Sequence, residues 1–283
     1  MRKHLLAALI IGTGVGSTGL HAQDAPSFVW ANSTELSFVS TGGNSSSSTL
    51  GLKANFTGSG ERNTVTFDFG GIRGESMFRS LTATGTEQDF SVTETKTSEL
   101  TVENYFARGQ YERSFGQVFG FGGAGWDRNT FAGVQNRYAL VVGAGSVWTD
   151  TESGRLKTDL GATYTIQKDV TPAPGAEDGF AGLRLTVDAM RQLTPSTEFL
   201  SELIVDENLA DTEDLRANWI NSLSVSMSDR LALKASLRLL FDNQPSLLPV
   251  PLFDNGGVPA GFDVLTPGEE LDTVVTLTLV ISL

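Results

Sequence analysis

Two histidines, no cysteine, and 33 acidic against 20 basic side chains bound the chemistry open to this 283-residue sequence. Both histidines, His4 and His21, lie within residues 1–22, which read as a secretory signal. Arg2 and Lys3 form its positive start, Leu-Leu-Ala-Ala-Leu-Ile-Ile at 5–11 its apolar core, and Ala22 the small residue at the cleavage point. The expected division is a signal peptide at 1–22 and a single domain at 23–283. The mature segment then carries neither histidine nor cysteine. Ser–His and Cys–His nucleophilic arrangements are excluded, as are zinc sites built on those ligands and stabilising disulfides. Glu198 and Glu202 pair two carboxylates that glycosidic hydrolysis could use, but no supporting groups accompany them. No enzyme activity and no cofactor are expected.

Other acidic residues cluster between candidate strands: Asp206, Glu207, Asp211, Glu213 and Asp214, then Asp254, Asp263, Glu269, Glu270 and Asp272. Oxygen ligands suit Ca²⁺ or Mg²⁺. Their spacing matches no EF-hand loop, so solvated loops, or loose divalent bridging to lipopolysaccharide, are expected in place of a dedicated metal site. Losing Arg2 and Lys3 with the signal takes the formal net charge from −13 to −15. That balance argues against nucleic-acid binding, which needs basic surface.

The remaining charges fall on alternating positions. Lys53, Asp68, Arg137, Lys157, Asp159, Arg184, Asp188, Glu202, Arg216, Lys234 and Arg238 each sit on the polar face of an alternating stretch. The clearest such stretch is 215–242. Leu215, Ala217, Trp219, Leu223, Val225 and Met227 share one face; Arg216, Asn218, Ser222, Ser224 and Ser226 share the other. After a turn at 228–229, Leu231, Leu233, Ala235, Leu237, Leu239 and Phe241 oppose Lys234, Ser236, Arg238 and Asp242. Period-two alternation marks strands with one apolar and one polar face. Strands in soluble domains average about 5–6 residues, whereas a tilted strand needs about 9–11 to cross a bilayer. Long strands with a greasy outer face predict a transmembrane antiparallel up-and-down β-barrel, all-β, of about twelve strands. The eleven charged residues then line the lumen, either as a selectivity lining or as a network filling a closed interior.

Twelve strands are predicted at 33–41, 45–57, 62–74, 97–112, 117–128, 133–150, 154–168, 178–191, 197–206, 212–227, 230–243 and 270–283. The fourth and ninth alternate less cleanly and suggest bulges. Short turns at 58–61, 113–116, 151–153, 192–196 and 228–229 alternate with connections at 75–96, 129–132, 169–177, 207–211 and 244–269, which include all the long ones. Short turns on one side and longer loops on the other are the habit of outer-membrane barrels. All nine prolines fall outside the predicted strands. Trp30, Tyr105, Trp126, Tyr138, Trp148, Tyr164 and Trp219 lie mostly near strand ends, as an interfacial aromatic girdle would. The run Phe119-Gly120-Phe121-Gly122-Gly123-Ala124-Gly125 reads as aromatic rings covering strand glycines; a phosphate loop would need a following helix.

Glu35-Leu36-Ser37-Phe38 leading into Thr41-Gly42-Gly43-Asn44-Ser45, then Asp127-Arg128-Asn129, Asn136-Arg137-Tyr138 and Gly143-Ala144-Gly145, resemble the DUF481 family of YdiY-like, salt-induced outer-membrane proteins. The resemblance implies a Gram-negative outer-membrane barrel tied to envelope integrity or salt response. Its expected partners are outer-membrane lipid, lipopolysaccharide and the assembly machinery, and its expected state is a monomer. The terminal Val275, Leu277, Leu279, Ile281 and Leu283 keep the alternation of an outer-membrane strand but lack the aromatic last residue usual there. The alternative is a closed structural barrel whose acidic loops bind a partner or lipopolysaccharide through divalent cations.

Overall fold

The computed structural model describes residues 28–41, 46–86, 89–172 and 179–282. The signal-peptide expectation and the 42–45 motif fall outside them. Fourteen strands and no helix make up the described residues: β1 (Val29–Thr41), β2 (Ser46–Ser59), β3 (Asn63–Gly85), β4 (Phe90–Phe115), β5 (Val118–Asn129), β6 (Val134–Thr151), β7 (Gly154–Asp169), β8 (Gly179–Thr194), β9 (Thr197–Asn208), β10 (Leu215–Ser228), β11 (Leu231–Asp242), β12 (Leu247–Phe253), β13 (Pro259–Pro267) and β14 (Leu271–Ser282). Twelve close into an antiparallel barrel in which chain neighbours pair up and down, and β14 joins β11 to β1. β12 and β13 form a separate two-stranded ribbon.

Alternation does the folding. Because strand side chains point to opposite faces in turn, each register fixes which residues meet. Leu160 lies beside Ala144 and Leu185 on one face, while its neighbour Asp159 lies beside Gly145 and Thr186 on the other. Leu140, Val142, Leu160, Tyr164, Leu185, Leu233 and Leu277 are all exposed, whereas Asp159, Thr163, Thr165, Ser222 and Thr278 are buried. Grease therefore lies outside and polar groups inside, the reverse of a soluble domain. The turns after β2, β4, β6, β8 and β10 gather with the start of β1 and the end of β14 at one rim, the turn rim. The connections after β1, β3, β5, β7, β9 and β11 gather at the other, the loop rim.

Three sequence expectations change. First, 75–96 is not a loop: β3 and β4 continue through it as a hairpin paired from Glu75–Leu100 to Gly85–Phe90. Among the described residues, β2 pairs with β3 only as far as Met77, and β5 with β4 only as far as Asn104. The hairpin thus rises clear of the barrel, and its Thr-rich alternation, with no lipid-facing stripe, disguised it as a loop. Second, β12 and β13 occupy the predicted connection at 244–269 and contain Pro249, Pro251, Pro259 and Pro267. A two-stranded ribbon has a free edge on each strand, where a missing N–H costs little. Third, an extra residue in β4, Thr101, bulges opposite Gly74–Glu75, but β9 pairs with β10 without interruption; the irregularity beside it is on β8, at Leu193.

Candidate functional site

The lumen is the candidate site, and strand parity decides what lines it. All eleven charged residues singled out in the sequence lie on the inner face. Lys157, Asp188 and Glu202 are consecutive cross-strand partners on β7, β8 and β9. Arg184, Asp206, Arg216 and Asp242 form a second such row. Lys53 faces Glu35 across β1–β2, Asp68 faces Arg108 across β3–β4, and Arg137 faces Gln167 across β6–β7. Lys234 lies beside Thr278, and Arg238 beside Val274.

What register alone did not reveal is how far these side chains reach. Lys157 Nζ on β7 meets Glu112 Oε1 on β4 at 2.5 Å, spanning the arc occupied by β5 and β6. Arg216 on β10 donates to Gln167 Oε1 on β7 at 3.0 Å, across β8 and β9. Arg137 donates to the same oxygen at 2.6 Å. Lys234 on β11 donates to Glu35 Oε1 on β1 at 2.8 Å over the intervening β14, and Lys53 Nζ stands 4.0 Å from the same oxygen. Arg184 grips Asp206 with two parallel bonds of 2.7 and 3.0 Å, the bidentate geometry that guanidinium favours. Arg108 pairs with Asp127 at 2.8 Å. Arg238 donates to Asn218 Oδ1 at 2.9 Å. A charge out of bulk water costs several kcal/mol unless paired; these charges meet partners on adjacent strands, as in Arg184–Asp206, Arg108–Asp127 and Arg238–Asn218, or by reaching over one or two strands, as in Lys234–Glu35, Lys157–Glu112 and Arg216–Gln167.

Glu35, Glu112, Asp127 and Gln167, acceptors of this network, were missed as site residues by the sequence reading, and Asp206, expected in an acidic loop cluster, lies on the inner face of β9 against Arg184. A strand pattern tells which face a residue takes, but not which distant strand lies opposite it. Aromatic rings complete the lining. Phe119 and Phe121 are inward and buried, and Lys157 Nζ lies 4.3 Å from the Phe119 ring centre. Phe121 faces the glycines of the next strands: a Cβ on Gly143 would stand 2.8 Å from Phe121 Cε1 and 2.6 Å from Gly161 Cα. Only glycine permits this approach. Arg216 lies similarly against the Phe180 ring, at 5.1 Å.

Outside, the predicted girdle residues sit near the rims. Trp148, Tyr138 and Trp30 are exposed. The indole N–H groups find partners on neighbouring strands or close by: Trp148 donates to Thr158 Oγ1, Trp219 to Ser201 Oγ and Trp126 to Asn136 Oδ1. An apolar ring with a satisfied polar tip suits the boundary between lipid and water. At the loop rim Arg73 and Arg128 share Glu103, at 3.7 and 3.4 Å. Among the described residues, no group of three or more acidic side chains is arranged to hold a metal ion. A hollow of about 750 Å³ opens at the turn rim between Ala31, Asn55, Arg230 and Ser282.

Residues 34–247 match the sequence model of the family described as "Protein of unknown function, DUF481". No curated protein matches the chain. Among solved structures, an anion-selective porin from Comamonas acidovorans is 12% identical with a TM-score of 0.39, covering 92% of this chain and 100% of its own. An outer membrane channel from Pseudomonas putida F1 is 11% identical with a TM-score of 0.43, covering 93% and 97%. The NanC porin is 11% identical with a TM-score of 0.43, covering 89% and 98%. At such scores the likeness carries no functional inference.

Proposed function

The chain belongs to the DUF481 family, and from that footing and the lumen geometry we propose that it is a non-enzymatic outer-membrane barrel. Its lumen is a constricted polar conduit for small ions and solutes, serving envelope integrity under salt or osmotic stress. The observation that carries this reading is the set of inward contacts that reach over one or two strands, Lys157–Glu112, Arg216–Gln167 and Lys234–Glu35. They fill part of the lumen with groups of both signs, which favours hydrated ions over bulky solutes. An apolar outer belt with rim aromatics supports placement in a bilayer, and an up-and-down barrel leaves lipid no sheet to face but its greasy side. Twelve strands lie between small barrels filled by side chains and open porins of sixteen.

The test is single-channel recording after reconstitution of the mature chain in planar bilayers. Discrete conductance steps well below those of an open porin, rising when Lys157 and Glu112 are both replaced by Ala, support the conduit. Silence over many verified insertions, in both wild type and the double variant, overturns it and leaves a closed structural barrel.

A further inference from the structure

The barrel closes through an incomplete seam. β1 pairs with β2 at all thirteen of its positions and β14 with β11 at eleven, yet among the described residues β1 and β14 share only four pairs, Ser33–Ser282 to Leu36–Leu279. Continuing that register would bring Phe38 beside Leu277 and Ser40 beside Val275, but Ser37 to Thr41 make no pairs with β14. The unpaired run lies toward the loop rim and extends about 16 Å along the strand, at 3.3 Å per residue. Side-chain exposure agrees. Val39 and Val274 have inward parity yet are 59% and 37% exposed, and the outward Phe38 and Val275 reach 70% and 77%.

Unpaired strand edges cannot face hydrocarbon, because their N–H and C=O groups would have no partner there. They are tolerated only where water reaches them, so the gap is a slot wetted from the lumen. Its lips are apolar: Phe38 and Val39 on one side, Val274, Val275 and Leu277 on the other. Behind the lips stand cations. Lys234 and Lys53 share the single carboxylate Glu35, and Arg238, the cross-strand partner of Val274, has its hydrogen-bond partner in the neutral Asn218. Arg108, Asp127 and Glu202 also lie within electrostatic reach of Arg238, and the seven charges together sum to one positive. Asp272 lies farther toward the loop rim, beside Leu240.

We propose that this slot is a lateral portal between the outer leaflet and the lumen, and that it takes a single-chain amphiphile with an anionic head. The acyl chain would stay among the lips while the head turns inward to Arg238 and Lys234. This rests on the barrel lying in a bilayer but not on its conducting ions. Carboxylate and phosphate heads share the required chemistry.

The absence of cysteine allows a clean test in proteoliposomes. Thr34→Cys with Ile281→Cys replaces a registered pair; Ser40→Cys with Val275→Cys spans the slot. A disulfide needs Cα atoms within about 7 Å, so mild oxidation is expected to join the first pair and leave the second free. A diazirine-bearing palmitic acid should then label Phe38, Val39 and 274–277 in preference to the rest of the belt. An alkyl phosphate carrying the same photoprobe should label the same residues if either head is accepted. Labelling is expected to fall about tenfold for Arg238→Gln, as loss of one charge-assisted hydrogen bond predicts, and similarly for the palmitate methyl ester. Ready oxidation of the 40–275 pair, labelling spread evenly around the barrel, or equal labelling by the methyl ester each overturns the portal. Heat-modifiable gel migration, measured on the same samples, reports separately on the barrel; a folded band with any of those results sinks the portal and spares the barrel.

Discussion

The chord between β4 and β7 offers the sharpest energetic test. Lys157 and Glu112 side chains retain only 17% and 20% of their exposure, so removing one partner strands the other in a poorly hydrated interior. Lys157→Met deletes the ion pair, the contact with the Phe119 ring and the nearest cation beside Asp188. Breaking one partner of a buried pair costs about 3–5 kcal/mol, and the ring contact about 0.5–2 kcal/mol. Glu112→Gln keeps the shape and a carbonyl acceptor, and Gln110 Nε2 still has an oxygen 2.8 Å away, so its cost should be about 1.5–3 kcal/mol. With both changes neither charge is left stranded, and the double variant should be more stable than the sum of the single losses implies by about 1.5–3 kcal/mol. Urea unfolding from lipid vesicles, followed by tryptophan fluorescence, measures all four members of the cycle. Additivity within about 0.5 kcal/mol would falsify the chord, since independent sites behave that way.

Three further outcomes are expected. Gly143→Val should force the β6–β7 wall apart, because even a Cβ there stands 2.6 Å from Gly161 Cα; overpacking of this kind costs about 1–3 kcal/mol, read as a lower melting temperature of the heat-modifiable band. Leu160→Arg places a charge at an exposed position of the apolar belt and should cost about 2–4 kcal/mol if it sits at the bilayer midplane; a neutral effect in the same vesicle assay would remove lipid from that face. Excising residues 79–96 and joining Phe78 to Thr97, which pair directly, should leave the folded band and its melting temperature unchanged, because among the described residues this part of the hairpin pairs with no other strand.

Strand parity was legible because it is a local property. A residue such as Asp159 declares its face through Leu160 on one side and Thr158 on the other, and the register only has to preserve that choice. The extended hairpin was not legible: Thr82, Thr84, Thr93 and Thr95 share one face, and the other mixes exposed Leu81 and Val92 with Glu94 and Lys96, so no continuous apolar stripe separates it from a loop. Proline misled at Pro249 and Pro251 for a related reason, since a free ribbon edge accepts what a closed sheet rejects. Partners across the lumen were hidden altogether. Glu112 and Lys157 are 45 residues apart, and nothing in alternation relates strands that are not neighbours. The incomplete seam was hidden too, because alternation assigns faces and says nothing about whether Ser37 to Thr41 have a partner in β14.

Cysteine scanning along β7 bears most directly on the claim that lipid lies outside this ring of strands and water inside it. Single cysteines at 156–166, introduced one at a time and reconstituted in vesicles, should label with period two. Positions 156, 158, 160, 162, 164 and 166 are predicted to react with a membrane-confined maleimide and resist a charged, water-soluble one; the odd positions are predicted to escape the membrane-confined reagent. Ready reaction of the even positions with the water-soluble reagent, or labelling without periodicity, would contradict the account.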